Sequence, residues 1–194
     1  MILSLEEVGR SLGGALKLLN RDPAGLGAYE VSFGAFWRSF GAMLLAAPAF
    51  IVLLADARLQ AGLPLEDGLF ESPLLVTREI VLLTGCWLAF PAAMIGLVRL
   101  LGLERRYAGY VIAYNWSAVV ATVILCVPHF LHVLGLATSG LAALFLAAFG
   151  FIVLHYRWFL AKAALGVSGG VAAVLVLVDL SLNGLVTAAA SLLA

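Results

Sequence analysis

Asp179 sits inside VAAVLVLVDLSLNGLVTAAA, Val171–Ala190, a stretch otherwise apolar enough to cross a bilayer. A carboxylate at the centre of a membrane helix costs about 2.5–3.5 kcal/mol on insertion scales. A partner, a water-filled cavity or a proton must offset that cost. Asn183 and Thr187 follow at four-residue steps, so a polar stripe runs down one helix face. An earlier apolar stretch carries Tyr114-Asn115-Trp116-Ser117, with Tyr107 and Tyr110 upstream. Asp179 lies 11 residues past Ser168, about 16 Å at helical rise, and Asn115 lies 8 residues into its own span, about 12 Å. The depths match within about one turn. They predict that Asp179 faces the bundle interior and bonds with the Tyr114–Ser117 segment.

Asp179, Asn183, Asn115, Tyr114 and Ser117 therefore form a candidate intramembrane polar site. One chemistry open to it is proton or cation binding on a transport path. The other is an interior polar knot that fixes helix register. A single acid with no second acid near it gives a pump little to work with, which favours the knot.

His129 and His132, at i and i+3, can turn two imidazoles toward one metal. No Cys, Asp or Glu close by in the sequence completes such a set. His155 falls at the cytoplasmic end of one span and His132 at the outer end of another, so the two cannot share a haem. Neither metal nor cofactor is expected. Cys86 and Cys126 stand alone inside apolar runs and read as small buried hydrophobes. H-E-x-x-H, G-x-S-x-G and a phosphate-binding glycine loop are all missing from the sequence, so no nucleophile can be named and no enzyme is expected.

These residues need elements to hold them, and composition says which. Of the 194 residues, 64% are hydrophobic and 11% charged, whereas soluble domains run near one quarter charged. Such a chain cannot cover itself with polar surface in water, and its solvent is lipid. The formal net charge of zero gives no general attraction to nucleic acid.

The expected fold is all-α, a polytopic membrane bundle of five transmembrane helices preceded by an amphipathic cytoplasmic helix. Residues 1–32 make the amphipathic helix and linker, and residues 33–194 the five-span bundle. Ser4–Leu19 has capping-box spacing at Ser4 and Glu7. Its apolar face is Leu5, Val8, Leu12, Ala15, Leu16 and Leu19, suited either to the membrane surface or to the bundle's cytoplasmic end. Asp22-Pro23 with Gly25 and Gly27 ends it. The spans fall at about Phe33–Ala55, Ile80–Leu100, Tyr107–Val133, Leu141–Leu160 and Val171–Ala190. Asp56–Pro73 is the longest loop between them, and it is acidic. Phe33, Phe36, Trp37 and Phe40 read as an interfacial belt, with Arg38 snorkelling. Ala143 and Ala147 make a small-residue face suited to close helix contact. The two glutamates of MILSLEEVGR argue against a cleavable signal, leaving the first span as an uncleaved one.

Five spans put the termini on opposite sides. Arg10, Lys17, Arg21, Arg38, Arg99, Arg105, Arg106, Arg157 and Lys162 then share the amino-terminal side, against Arg58 and Arg78 on the other. By the positive-inside rule the amino terminus is cytoplasmic and the carboxyl terminus periplasmic or lumenal.

This layout resembles the Yip family of small integral membrane proteins. The likeness covers Phe33–Ala194, most closely the fourth span, the HYRWFLAKAALGVS turn and the fifth span. Members have a cytoplasmic amino-terminal segment and five closely spaced spans, and in eukaryotes are linked to membrane trafficking or organisation. The eukaryotic D-L-Y-G-P-type motif is absent, so the resemblance assigns no residue a role. It implies a non-enzymatic scaffold or accessory subunit in a bacterial inner membrane, with the bilayer, other membrane proteins or a second copy as partners. The alternative is a small proton- or cation-coupled transporter or channel using Asp179, Asn115 and Tyr114.

Overall fold

The computed structural model describes residues 3–193; Met1, Ile2 and Ala194, at the two ends of the expected domains, lie outside it. Seven α-helices follow one another, with no strand among the described residues: α1 Leu5–Leu19, α2 Phe33–Phe40, α3 Ala47–Gln60, α4 Pro73–Leu101, α5 Tyr107–Val133, α6 Ser139–Leu165 and α7 Gly169–Ala190. A 3-10 stretch, Gly41–Ala46, joins α2 to α3, so that Phe33–Gln60 runs as one rod. That rod and α4 to α7 are five helices long and apolar enough to cross a membrane.

Local chemistry sets the helix ends. Ser32, Thr138 and Ser168 cap α2, α6 and α7, each side chain accepting an amide N–H that has no partner within the helix. Gly102 and Gly166 close α4 and α6 in the left-handed conformation, where a side chain would clash. The spans run longer than hydropathy alone gives. α4 begins at Pro73 instead of Ile80, and α6 continues to Leu165 instead of Leu160. Charged residues within a turn of a span's end lower its mean hydropathy without breaking the helix. The expected loop from Asp56 shortens for the same reason: Asp56–Gln60 is helical, and Asp56 and Arg58 are buried.

α5 is the centre of the bundle. Nine consecutive residues, Val111–Val119, are buried. A helix with neighbours on every side has no solvent face, so it shows no amphipathic stripe. α1, α2, α3, α4 and α6 all pack on α5, and α7 closes the circle against α4 and α6. At Gly85 an added methyl would meet the Val186 side chain at 2.7 Å, which shows how closely α4 and α7 approach.

α1 lies against the bundle. Ser11, Gly14, Ala15 and Leu18 are buried, whereas Leu5 and Leu16 of the expected apolar face are exposed. The face is rotated because Gly14 admits a close neighbour. The 3-10 turn Pro23–Ala28 folds back there, and a methyl on Gly14 would stand 2.6 Å from Ala28 Cβ. Only half of the capping box forms. Ser4 Oγ accepts the Glu7 N–H at 3.1 Å, but the Glu7 carboxylate turns to Arg38 Nε at 2.9 Å. Arg38 also reaches Glu30 at 3.9 Å, so it is held by protein instead of snorkelling.

Candidate functional site

Asp179 is buried where α5, α6 and α7 meet. Tyr114 of α5 donates its O–H to Asp179 Oδ1 at 2.9 Å. Asn183, one turn further along α7, donates its amide to the same oxygen at 2.9 Å and to the Asp179 backbone carbonyl at 2.8 Å. Arg157 of α6 brings Nη1 to 3.9 Å from Oδ2, an ion-pair distance too long for a hydrogen bond. Its guanidinium lies over the Tyr114 ring, 3.8 Å from the centroid. There the π face and the carboxylate both stabilise the cation. Phe90 of α4 and Tyr110 complete an aromatic layer, with ring centroids 5.2 Å and 6.1 Å from that of Tyr114.

Tyr114 thus bonds Asp179 from the expected segment, and Asn183 joins it from the same face of α7. Asn115 and Ser117 do not. Adjacent helix positions point about 100° apart, so a four-residue segment cannot turn wholly toward one partner. Asn115 faces α2 and donates to Ser39 Oγ at 2.9 Å. Ser117 faces the phenols of Tyr29 and Tyr156 without an aligned hydrogen bond to either. Tyr156 donates instead to the Ala15 carbonyl at 2.8 Å, which ties α1 to α6. Thr187 donates to the Asn183 carbonyl and stays at the surface.

Arg157 is the member that sequence reasoning missed. With the fourth span ended at Leu160 it reads as a boundary cation. It lies 8 residues before the true end at Leu165, about 12 Å along the axis, close to the level of Asp179. A depth count from the Gly166 cap would have found it.

A second cluster joins the opposite ends of α3, α5 and α6. Asp56 Oδ2 receives His129 Nδ1 at 2.7 Å, and Oδ1 receives His132 Nδ1. Gln60 donates to Asp56 at 2.6 Å, and His132 Nε2 stands 3.1 Å from Ser139 Oγ. A carboxylate only accepts, so both Nδ1 atoms carry protons. The i, i+3 histidines do gain an acid from a distant part of the chain, because the first and third spans run parallel and Asp56 and His129 lie equally far along them. Among the described residues, however, no three or more His, Cys, Asp or Glu side chains are disposed to hold a metal ion. Arg78 and Glu79 form a 3.4 Å ion pair in the second turn of α4.

The small-residue features are also settled by geometry. Ala143 and Ala147 are exposed. Gly166 caps α6, and Gly170 is the second residue of α7. Cys86 and Cys126 are free.

The fold and this interior cluster define a class: an all-helical bundle of five helices of membrane-spanning length, knitted by a buried ionic knot. No family model, curated protein or solved structure matches the chain.

Proposed function

We propose that this chain is an integral protein of a bacterial cytoplasmic membrane that serves as a non-enzymatic scaffold or accessory subunit in membrane organisation, as its Yip-like layout suggests. Its amino terminus is cytoplasmic and its carboxyl terminus periplasmic. The observation that carries this reading is that groups from three helices converge on Asp179. One oxygen takes two hydrogen bonds, and the other faces the Arg157 guanidinium. A carboxylate balanced in that way fixes the register of three helices. An exchange site needs an acid that trades partners. Partners of the scaffold would be lipid, other membrane proteins or a second copy, meeting it on exposed faces such as that of Ala143, Leu144 and Ala147.

Two measurements test the proposal together. Purification from native membranes in mild detergent should retain partner chains or a second copy, and a lone monomer without partners would count against it. Vesicles carrying the protein should show no proton flux above empty vesicles. A flux abolished by Asp179→Asn in a folded protein would replace the scaffold with a transporter.

A further inference from the structure

Ser139, His132 and Asp56 form a chain of polar contacts at the outer end of the bundle. Ser139 Oγ stands 3.1 Å from His132 Nε2, and His132 Nδ1 is bonded to Asp56 Oδ1. The first distance is within reach of a nucleophile and its base. Because Nδ1 carries the proton, Nε2 keeps its lone pair and accepts the Ser139 O–H. Hydroxyl, imidazole and carboxylate follow in the order of a Ser-His-Asp triad, an arrangement recognised by geometry on any fold. The three side chains come from α6, α5 and α3, so no local sequence motif displays them.

Each member has the setting that its role needs. Asp56 is 2% exposed, and its other oxygen takes His129 Nδ1 at 2.7 Å and the Gln60 amide at 2.6 Å. The carboxylate is thereby fixed behind His132. Exposure rises along the chain, from the buried acid to a partly buried ring to an exposed hydroxyl. A clamp between α5 and α6 needs neither a buried acid behind the imidazole nor an exposed hydroxyl in front of it.

The start of α6 adds amide donors. Thr138 Oγ1 accepts the Leu141 N–H at 3.3 Å, and the Thr138 carbonyl accepts the Ala142 N–H at 2.8 Å. The N–H groups of Ser139 and Gly140 precede those bonds and have no acceptor within the helix. At a helix start such donors stabilise negative charge developing on an oxygen. A methyl on Gly140 would meet nothing within 4 Å, so this end of α6 is open to approach.

We infer that Ser139 is the nucleophile of a site that hydrolyses carboxylic esters of acyl lipids, with His132 as general base and Asp56 as a positioning residue. Oγ attacks the ester carbonyl carbon as its proton passes to Nε2. The oxyanion formed is held by the Ser139 and Gly140 N–H groups. Collapse breaks the bond from the carbonyl carbon to the alcohol oxygen, and the leaving alcohol takes the proton from Nε2. Water then attacks the acyl-serine and gives its proton to Nε2. Oγ leaves, regains that proton, and the fatty acid is released. Leu136 and Leu141, close to Ser139 in the chain, are exposed and offer an acyl chain apolar surface. The choice of a lipid ester rests on the membrane reading, which sets the start of α6 at the boundary between hydrocarbon and headgroups; the nucleophile does not. This activity goes beyond the scaffold role and confines its non-enzymatic character to the Asp179 knot.

An alkyl fluorophosphonate tests the nucleophile on the full chain in neutral detergent. Fluoride should leave as one phosphonyl ester forms, mapped to Ser139 by peptide mass spectrometry. Ser168 is the reference within the same molecule: it is exposed at the start of α7, with its Oγ on the Val171 N–H at 3.3 Å, and should stay unmodified. His132→Gln should slow labelling by about 10²-fold or more. Ser139→Ala should abolish it in a chain that still unfolds cooperatively. Asp56→Asn should lower kcat for p-nitrophenyl butyrate with KM little changed. Dioleoylphosphatidylglycerol in mixed micelles should release oleate with the wild type and not with Ser139→Ala. Absence of an adduct on Ser139, equal labelling of Ser139 and Ser168, or His132→Gln labelled as fast as the wild type overturns the nucleophile. The comparison of Ser139 with Ser168 needs no variant to fold. Hydrolysis of the nitrophenyl ester without release of oleate overturns the lipid ester. Retention of partner chains in mild detergent reads the scaffold separately, and Ser139→Ala should leave it unaltered.

Discussion

Tyr114 and Asp179 meet at 2.9 Å across the α5–α7 boundary, and the Tyr114 ring carries the Arg157 guanidinium on its face. One tyrosine therefore touches both members of the buried ion pair, through its edge and its face. Truncating each group should have a different effect. Tyr114→Phe removes a hydrogen bond to a charged group but keeps the ring under Arg157, and should cost about 1.5–3 kcal/mol. Asp179→Asn strands the Arg157 cation and should cost about 3–5 kcal/mol. Adding Arg157→Gln to Asp179→Asn should recover part of that loss, because no charge is then left unpaired. Thermal unfolding of the wild type, Tyr114→Phe, Asp179→Asn, Arg157→Gln and the double variant in one detergent checks the order, and strictly additive losses from Asp179→Asn and Arg157→Gln would show that the pair is not coupled.

Asp56→Asn should loosen the outer ends of α3 and α5. The asparagine can answer one imidazole N–H but offers only one carbonyl to two donors. Cys126 lies one turn inward from His129, its thiol facing the Ala49 carbonyl at 4.0 Å. Labelling of Cys126 by a membrane-permeant maleimide should accelerate several-fold in the variant, with Cys86 on α4 as the internal reference. An unchanged rate would mean that the cluster does not clamp these ends.

Burial pushes the Tyr29 phenol far above its ordinary value near 10, and Tyr156 nearby pushes it the same way. The folded state thus holds this proton more tightly than the unfolded chain. The stabilisation is whole below the unfolded value and declines as pH rises past about 10. The phenol has no hydrogen-bond partner. Tyr29→Phe should therefore leave neutral-pH stability unchanged or slightly raised, and should flatten the alkaline loss. A variant destabilised at neutral pH would show that the hydroxyl is satisfied in solution.

Gly14→Ala should unseat the amino-terminal segment. A methyl there collides with Ala28 Cβ and with the Gly25 carbonyl at 2.8 Å, both on the tightly folded 3-10 turn. Overpacking of this kind costs about 1–3 kcal/mol. Trypsin should then cut faster at Arg10 and Lys17 while the five long helices stay intact. Gly13→Ala, with open space at its Cβ position inside α1, should not speed cleavage and should add about 0.5–1 kcal/mol of helix stability.

Much of the architecture was legible before any coordinates. Third-span limits of Tyr107–Val133 follow from hydropathy alone and agree with α5. The match in level of Asp179 with the Tyr114–Ser117 segment follows from depth counting, because a helix advances by a fixed rise and five closely spaced spans leave little freedom in level. Span ends were less legible wherever a charged residue lay within a turn of them, and that hid both Arg157 and Asp56. Each was read as a loop or boundary charge because its helix continues past it.

By itself, the sequence determined the number of apolar rods, their order and the rough level of each polar side chain, since hydropathy and helical rise are local properties. Azimuth was decided only by the tertiary structure. The packing around α5 sends Tyr114 to Asp179, Asn115 to Ser39 and Ser117 to the tyrosines, although the three share a single helical turn. It also brings Asp56 to two histidines more than 70 residues away. The direction in which a helical residue points becomes fixed only when neighbouring helices fit their side chains between its own, and that fit is a property of the whole bundle.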